Sequence, residues 1–390
     1  MTRKRKFIVF GQPDIRQEDI KTVVKTLKSG WIGTGPKTEE FEHKFAKYTH
    51  AKYALAVNSC TAGLHLALNA VGVRPGDEVI TSPLTFPATV NVILHCGAKP
   101  VFVDVKPDGN MDPSLIEKKI TKKTKVILPV HLYGRPCDMD KIMAIAKKNN
   151  LSVIEDAAHA IEAWYKNKKI GSIGDITVFS FYVTKNLTTA EGGMITTNNK
   201  KLADKMRILS LHGLSRDAYR RYSVKHFSHY QCLFPGYKYN LTDIASSIGI
   251  MQLKRIEQNL KTRVKQWNMY SQGLERINQI TLPAMLDKSM VHARHLYTIL
   301  INLEQMTVNR DQFIYEMIKR NVGAGVHFIP AHMHSFYRSK YGFKKGDYPK
   351  AEFIGDRTIS LPLGPGFKTE DIKYVIKVLH EIVQRFSKKN

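Results

Sequence analysis

The chain has 390 residues, more than a single core usually serves, and its 43% hydrophobic and 24% charged content is that of a globular protein. Sixty Lys and Arg against 34 Asp and Glu leave a net charge of +26, which suits nucleic acid, acidic lipid surfaces or small anionic substrates as partners. Four scattered cysteines, Cys60, Cys96, Cys137 and Cys232, exclude a zinc ribbon and a disulfide framework and fit a reduced cytoplasmic protein, and no run approaches the roughly 18 apolar residues of a membrane helix.

The opening MTRKRKFIVFGQPD is basic, but its apolar run, Phe7 to Phe10, is too short for a signal-peptide core. From Tyr53 onward, short apolar runs alternate with amphipathic stretches. The pattern predicts strands at 53–57, 77–81, 99–105, 125–132 and 152–156, separated by helices at 61–72, 86–97, near 113–120 and near 138–149. Runs at 175–182 and 193–197 extend the set, and the alternation predicts a mainly parallel sheet with helices on both faces. Beyond about residue 240 come long helical stretches, strands at 296–303 and 325–329, and a last helix at 369–386 capped by Thr369. The expectation is a large α/β domain over 1–240 with an N-terminal arm, and a smaller α+β domain over 241–390. No repeat or low-complexity linker separates them, so the two should pack tightly. The basic groups, at Arg3 to Lys6, Lys122–Lys123, Lys166 to Lys169, Arg220–Arg221 and Lys388–Lys389, are dispersed and read as solvated surface.

Ligands of open parallel sheets gather beyond the carboxyl ends of strands, and several polar residues stand there. Asp156 closes LSVIED, either as a helix cap or as a partly buried carboxylate holding a cation. Lys185 follows between VFSFYV and EGGM. A lysine after a strand is ordinarily solvated, but one desolvated against buried backbone has a lowered pKa and becomes a nucleophilic amine for Schiff-base chemistry. NSCTAGLHLAL, 58–68, is a strand-to-helix junction whose free N–H groups favour a phosphate, with Thr61 as hydroxyl donor; Ser59 or Thr61 equally suits an N-cap. Ser180 is a hydroxyl inside the apolar run VFSF and needs a partner, such as the same phosphate. Phe86 in TSPLTFPATV is either core or a flat surface for an aromatic ring. A reactive amine, a carboxylate, a phosphate site and a ring platform together match pyridoxal phosphate, with its aldehyde, pyridine nitrogen, phosphate and flat ring.

These stretches occur in order with SGWIGTGPKTEEFE (29–42), GDEVITSPLTFPATVN (76–91), PVHLYGRPCDMD (129–140), VIEDAAHA (153–160), FSFYVTKNLTTAEGGM (179–194), LSLHGLSRDAYRRY (209–222), PGYKYNLTDI (235–244), GVHFIPAH (325–332) and ISLPLGPG (359–366). Over nearly its whole length the chain thereby resembles the DegT/StrS family of pyridoxal-phosphate-dependent nucleotide-sugar aminotransferases. The resemblance implies the aspartate aminotransferase type of α/β fold, PLP fold type I. It makes Lys185 the lysine that binds pyridoxal 5'-phosphate covalently and Asp156 the partner of the ring nitrogen. His159 falls near the cofactor's phenolic oxygen, Phe86 at the ring-stacking position, and Cys60, mainly through its backbone, Thr61 and Ser180 around the phosphate. Asn240, in GYKYNLTD, would reach the phosphate of a neighbouring subunit, so a homodimer with shared active sites is implied. Lys185 stands where the family's dehydratase branch has histidine.

The family draws its amino group from glutamate. HGLSRDAYRRY, GYKYNLTD and GVHFIPAH resemble the branch that aminates carbon 4 of UDP-linked 4-keto sugars for surface glycans, more than the GDP-perosamine branch. On that reading His332 and Lys238 face the sugar or its diphosphate; otherwise they are a surface histidine and a solvated lysine. The alternatives are a carbon-3 aminotransferase acting on a dTDP-ketosugar, or a non-catalytic basic regulatory protein on the same fold. Against the last stand Lys185 and Asp156 together and the lack of a recognised nucleic-acid motif. Neither a metal nor stable membrane insertion is expected.

Overall fold

The computed structural model describes residues 6–215 and 230–388. Basic residues 3–5, 220–221 and 389, and the LSLHGLSRDAYRRY motif from 216 on, lie outside them. The apolar runs form one sheet of seven strands, β1 (Tyr53–Val57), β2 (Glu78–Thr81), β3 (Lys99–Phe102), β4 (Thr124–Leu128), β5 (Ser152–Asp156), β6 (Ile176–Ser180) and β7 (Gly193–Thr197), in the order β1-β7-β6-β5-β4-β2-β3. Strands β2 to β6 are parallel to their neighbours within that group, whereas β7 runs antiparallel to both β1 and β6.

Strand side chains point alternately to the two faces, so one sheet feeds two cores. Ala56, Ile127, Val153 and Phe179 join Phe41 and Phe45 of helix α2 (Pro36–Thr49) on one face. Val57, Val126, Ile154 and Val178 join the other, under helix α3 (Cys60–Ala70) and helix α4 (Pro87–His95). Gly63 lets α3 lie close on the sheet, since a Cβ there would sit 2.5 Å from Val178 Cγ1. Such covering of both faces is what a largely parallel sheet requires.

A third core builds the smaller layer around a three-stranded antiparallel sheet, β8 (Ile280–Thr281), β9 (Tyr297–Ile301) and β10 (Thr358–Leu361). The expected border at 240 does not coincide with the border between cores. Leu241, Ile250, Leu253 and Ile256 belong to the first core, the third begins with Trp267, and Ile8 from the arm joins it.

Several local expectations change. The arm contains a helix, α1 (Gln17–Lys28), ahead of α2. The helix expected near 113–120 is two short 3-10 turns, Pro113–Leu115 and Glu117–Lys119. The strand expected at 325–329 is reduced to one bridge, Gly325 to Ser360. The last helix begins at Thr369 and its cap position is Lys368.

Candidate active site

A cavity of about 550 Å³ opens beyond the carboxyl ends of β2, β4, β5 and β6. It is lined by Cys60, Thr61, Phe86, Asp156, His159, Ser180 and Lys185, residues from four separate stretches of sequence. Each arrives by a simple local route. Asp156 is the last residue of β5, Ser180 the last of β6, and Lys185 sits in the turn that reverses the chain from β6 into β7.

At the junction of β1 with α3, Ser59 caps the helix, its hydroxyl accepting from the Ala62 N–H at 3.1 Å. Thr61 is therefore not the cap, and its hydroxyl has no partner among the described residues. The first-turn N–H groups of Cys60 and Thr61 have no carbonyl of their own helix to meet, so they and the helix dipole favour an anion. Gly193 brings β7 against this turn: a Cβ there would stand 2.8 Å from the Cys60 nitrogen.

Asp156 is buried and accepts from Thr89 Oγ1 at 2.8 Å and from the Ala158 N–H at 3.1 Å. Burial pushes its carboxyl up, while these two bonds and the charges of Lys185 and His131 draw it back toward the anion. Burial brings the Lys185 amine down to about 8, against weaker opposing effects of Cys60 and Asp156. His159 is held neutral, well below the usual histidine range, by burial and then by Lys185 and the neighbouring His295 and His327. Its Nδ1 accepts from the Tyr133 N–H at 3.2 Å, so the neutral ring carries its proton on Nε2. Phe86 is 58% exposed, facing Phe328 at 5.8 Å between ring centres, and is not core.

A larger hollow, about 910 Å³, lies among α1, α2 and helix α5 (Asp243–Lys254). It contains a buried lysine, Lys169, also brought to about 8. There the ammonium donates to Tyr48 Oη and to the Glu162 carbonyl, both at 3.1 Å, with Glu257 at 3.8 Å. Lys169 is thus a satisfied structural cation, whereas Lys185 makes no hydrogen bond through its amine among the described residues.

The residues present fit pyridoxal 5'-phosphate: an amine held near neutrality, a fixed carboxylate, free amide donors and an exposed ring. A sequence model of the DegT/DnrJ/EryC1/StrS aminotransferase family matches residues 13–380. The chain belongs to this family. It is 50% identical to Uncharacterized protein MJ1066 of Methanocaldococcus jannaschii over 97% of this chain and 98% of that one. It is 46% identical to the spore coat polysaccharide biosynthesis protein SpsC of Bacillus subtilis over 98% and 99%. The solved structure of the putative sugar aminotransferase Spr1654 from Streptococcus pneumoniae, in its PMP form, superposes with a TM-score of 0.90 at 36% identity, over 97% of this chain and 98% of that one. This aminotransferase is accordingly an enzyme that uses pyridoxal phosphate and acts on a sugar.

Three expected residues lie away from the cavity of their own chain. His332 is fully buried, its Nε2 bonded to Glu352 at 2.9 Å and its ring packed on Tyr348, so in this structure it does not face the cavity. Its sequence neighbours gave no sign of the Glu352 partner, 20 residues away. Lys238 is exposed, and Asn240 donates through Nδ2 to Thr34 Oγ1 at 2.5 Å; neither lines the cavity. Thr85, Thr89, Tyr182, His327 and Phe328 do line it and were not anticipated. Thr89 lies in the first turn of α4 and Thr85 just before its cap residue Phe86, so helical spacing does not announce the pair. Among the described residues no group of three or more His, Cys, Asp or Glu is placed to hold a metal, and no helix is long and apolar enough to cross a membrane.

Proposed function

We propose that the enzyme moves an amino group from glutamate to carbon 4 of a UDP-linked 4-keto sugar, yielding a 4-amino sugar for a surface glycan. The observation that carries the chemistry is the meeting of Lys185, Asp156 and the α3 N-terminus in one cavity. The resemblance of 235–244 and 325–332 to the 4-aminating branch supports the position and the nucleotide, and the relative named for spore coat polysaccharide supports the glycan.

When bound, pyridoxal phosphate supplies an electron sink for breaking the bond to the α-proton. The chain's own groups do the rest. Cys60 and Thr61 amides, with the Thr61 and Ser180 hydroxyls, would hold the phosphate. Asp156 would hold a proton on the ring nitrogen, Phe86 would offer a surface to the ring, and His159 would offer Nε2–H to the phenolic oxygen. Lys185, near neutrality as an amine, takes the α-proton of the donor and returns one to the sugar carbon.

Among the described residues, no Lys or Arg apart from Lys185 lines the cavity, although a cofactor phosphate, donor carboxylates and a sugar diphosphate all need cationic or amide partners. A second copy that brings Asn240 and Lys238 to the mouth meets that need. The exposed stripe Ile20, Val24, Leu27 and Trp31 along α1 and just beyond it is a further apolar face in keeping with a homodimer.

The test is a panel of UDP-, dTDP- and GDP-linked 4-keto and 3-keto sugars with glutamate, read by mass for the amine product. The UDP-4-keto member should give the highest kcat/KM. Preference for a dTDP-3-keto sugar would replace this reading with carbon-3 amination, and turnover with no member would reject nucleotide-sugar specificity.

A further inference from the structure

We propose that Thr85 and Thr89 are positioning residues, a chain of two hydroxyls that holds the Asp156 carboxylate as an anion against the cofactor ring. The proposal rests on the reading of Asp156 as the ring nitrogen's partner. Thr89 Oγ1 lies 2.8 Å from Asp156 Oδ2, and Thr85 Oγ1 lies 2.8 Å from Thr89 Oγ1. Both threonines are 1% exposed, so water does not substitute for either bond.

The proton directions are fixed by counting. A hydroxyl has one proton, and an ionised carboxylate only accepts. Thr89 therefore spends its proton on Asp156, and Thr85 must donate to Thr89. Donation into the Thr89 oxygen makes Thr89 a stronger donor in turn, because hydrogen bonds in a chain polarise one another. The Ala158 N–H occupies Asp156 Oδ1 at 3.1 Å, so both carboxylate oxygens are gripped. The ionisable groups acting on Asp156 are Lys185 from the β6–β7 turn, His131 following β4 and the Cys60 thiol. None of these side chains bonds the Asp156 carboxylate: His131 meets Asp156 only through the backbone, its N–H donating to the Asp156 carbonyl at 3.0 Å, and its ring is already bonded to Glu155 at 2.8 Å.

α4 has a reason to present this pair. Its first turn places Thr89 where the helix dipole also favours the anion, while the Thr89 N–H is taken by the Phe86 carbonyl at 3.2 Å, leaving the hydroxyl to reach Asp156. Pro87 at the helix start needs no hydrogen-bond acceptor there, and Phe86 just before it lies at the cavity wall. One short segment, TFPATV, thereby supplies both the surface for the ring and the brace for the ring's counter-charge.

The experiment loads the full-length protein with pyridoxal phosphate carrying ¹⁵N in the ring. It compares wild type with Thr89→Val, Thr89→Ser, Thr85→Val and Asp156→Asn, reading the ring-nitrogen chemical shift and the cofactor's dissociation constant. Thr89→Val should move the shift toward that of unprotonated pyridine and weaken cofactor binding about tenfold, the size of one lost bond to a charged group. Thr89→Ser should restore both readouts, and Thr85→Val should move them the same way by less. A folded Thr89→Val protein with the wild-type shift overturns the proposal; should that variant not fold, an unchanged shift in Thr85→Val does so. If Asp156→Asn also leaves the shift unchanged, the reading of Asp156 itself fails; if it alone moves the shift, only the role of the threonines does.

Discussion

Two lysines brought to about 8, one buried and one half-buried, show what separates an available amine from a structural one: Lys169 has its donors taken, and Lys185 faces open cavity. Since the folded Lys185 amine titrates below its ordinary 10.5, the desolvated ammonium opposes folding below about pH 8, and that cost fades as pH rises from 8 to 10.5. The same value sets when the amine can attack an aldehyde. Capture of pyridoxal phosphate by protein freed of cofactor should accelerate as pH rises through about 8 and then level off, whereas an ordinary lysine would go on accelerating toward 10.5. Stopped-flow absorbance near 400 nm follows the capture. Lys185→Ala should give no such band and lose at least about 10³-fold in turnover; a variant that keeps the band removes Lys185 from its role. Asp156 was legible in the sequence because a charged residue closing an apolar strand is costly unless used, whereas Lys185, five residues past its strand, read as solvated on position alone and stood out only through its flanks VFSFYV and EGGM and the family resemblance. The hydrogen bond of His332 to Glu352 was not legible, because a partner 20 residues distant leaves no local trace.

Among the elements, the strands were easiest to foresee, since their burial on both faces turns them into short continuous apolar runs. The arm helices were harder. Along α1 the usual burial is inverted: Asp19 and Thr26 are buried while Ile20, Val24 and Leu27 are exposed. Asp19 can be inside because Arg255 grips it with both terminal nitrogens, at 2.9 and 2.5 Å, a long-range pair invisible to periodicity. The start of α2 depends on a similar reach. Gly35 at its cap offers no side chain, and the Asp243 carboxylate accepts instead from the N–H groups of Gly35, Lys37 and Thr38 and from the Thr38 hydroxyl, at 2.7–2.9 Å. Asp243→Ala should lower the unfolding free energy by about 2–3 kcal/mol, a lost cap plus donors left buried. Denaturant titration would show it as an earlier transition, and a midpoint equal to wild type would mean that water replaces the carboxylate.

For the whole molecule, the proposed sharing of sites between subunits has a direct consequence in mixtures. Lys185→Ala and Asn240→Asp proteins should each be nearly inactive. When they are co-refolded, a hybrid dimer would have one site with its own Lys185 and the other chain's Asn240, and activity should recover to about a quarter of wild type. No recovery, with hybrid dimers shown by native mass spectrometry, would place Asn240 outside the neighbouring site. The β6–β7 turn adds something that neither strand shows alone. Ser180 stands at one foot of this hairpin, Gly193 at the other beside Cys60, and Lys185 lies between them. On the proposed reading, a lysine released during turnover would stay tethered to the structure that would hold the phosphate. Its return would be a ring closure at high effective concentration, with which a free amine in solution would compete poorly.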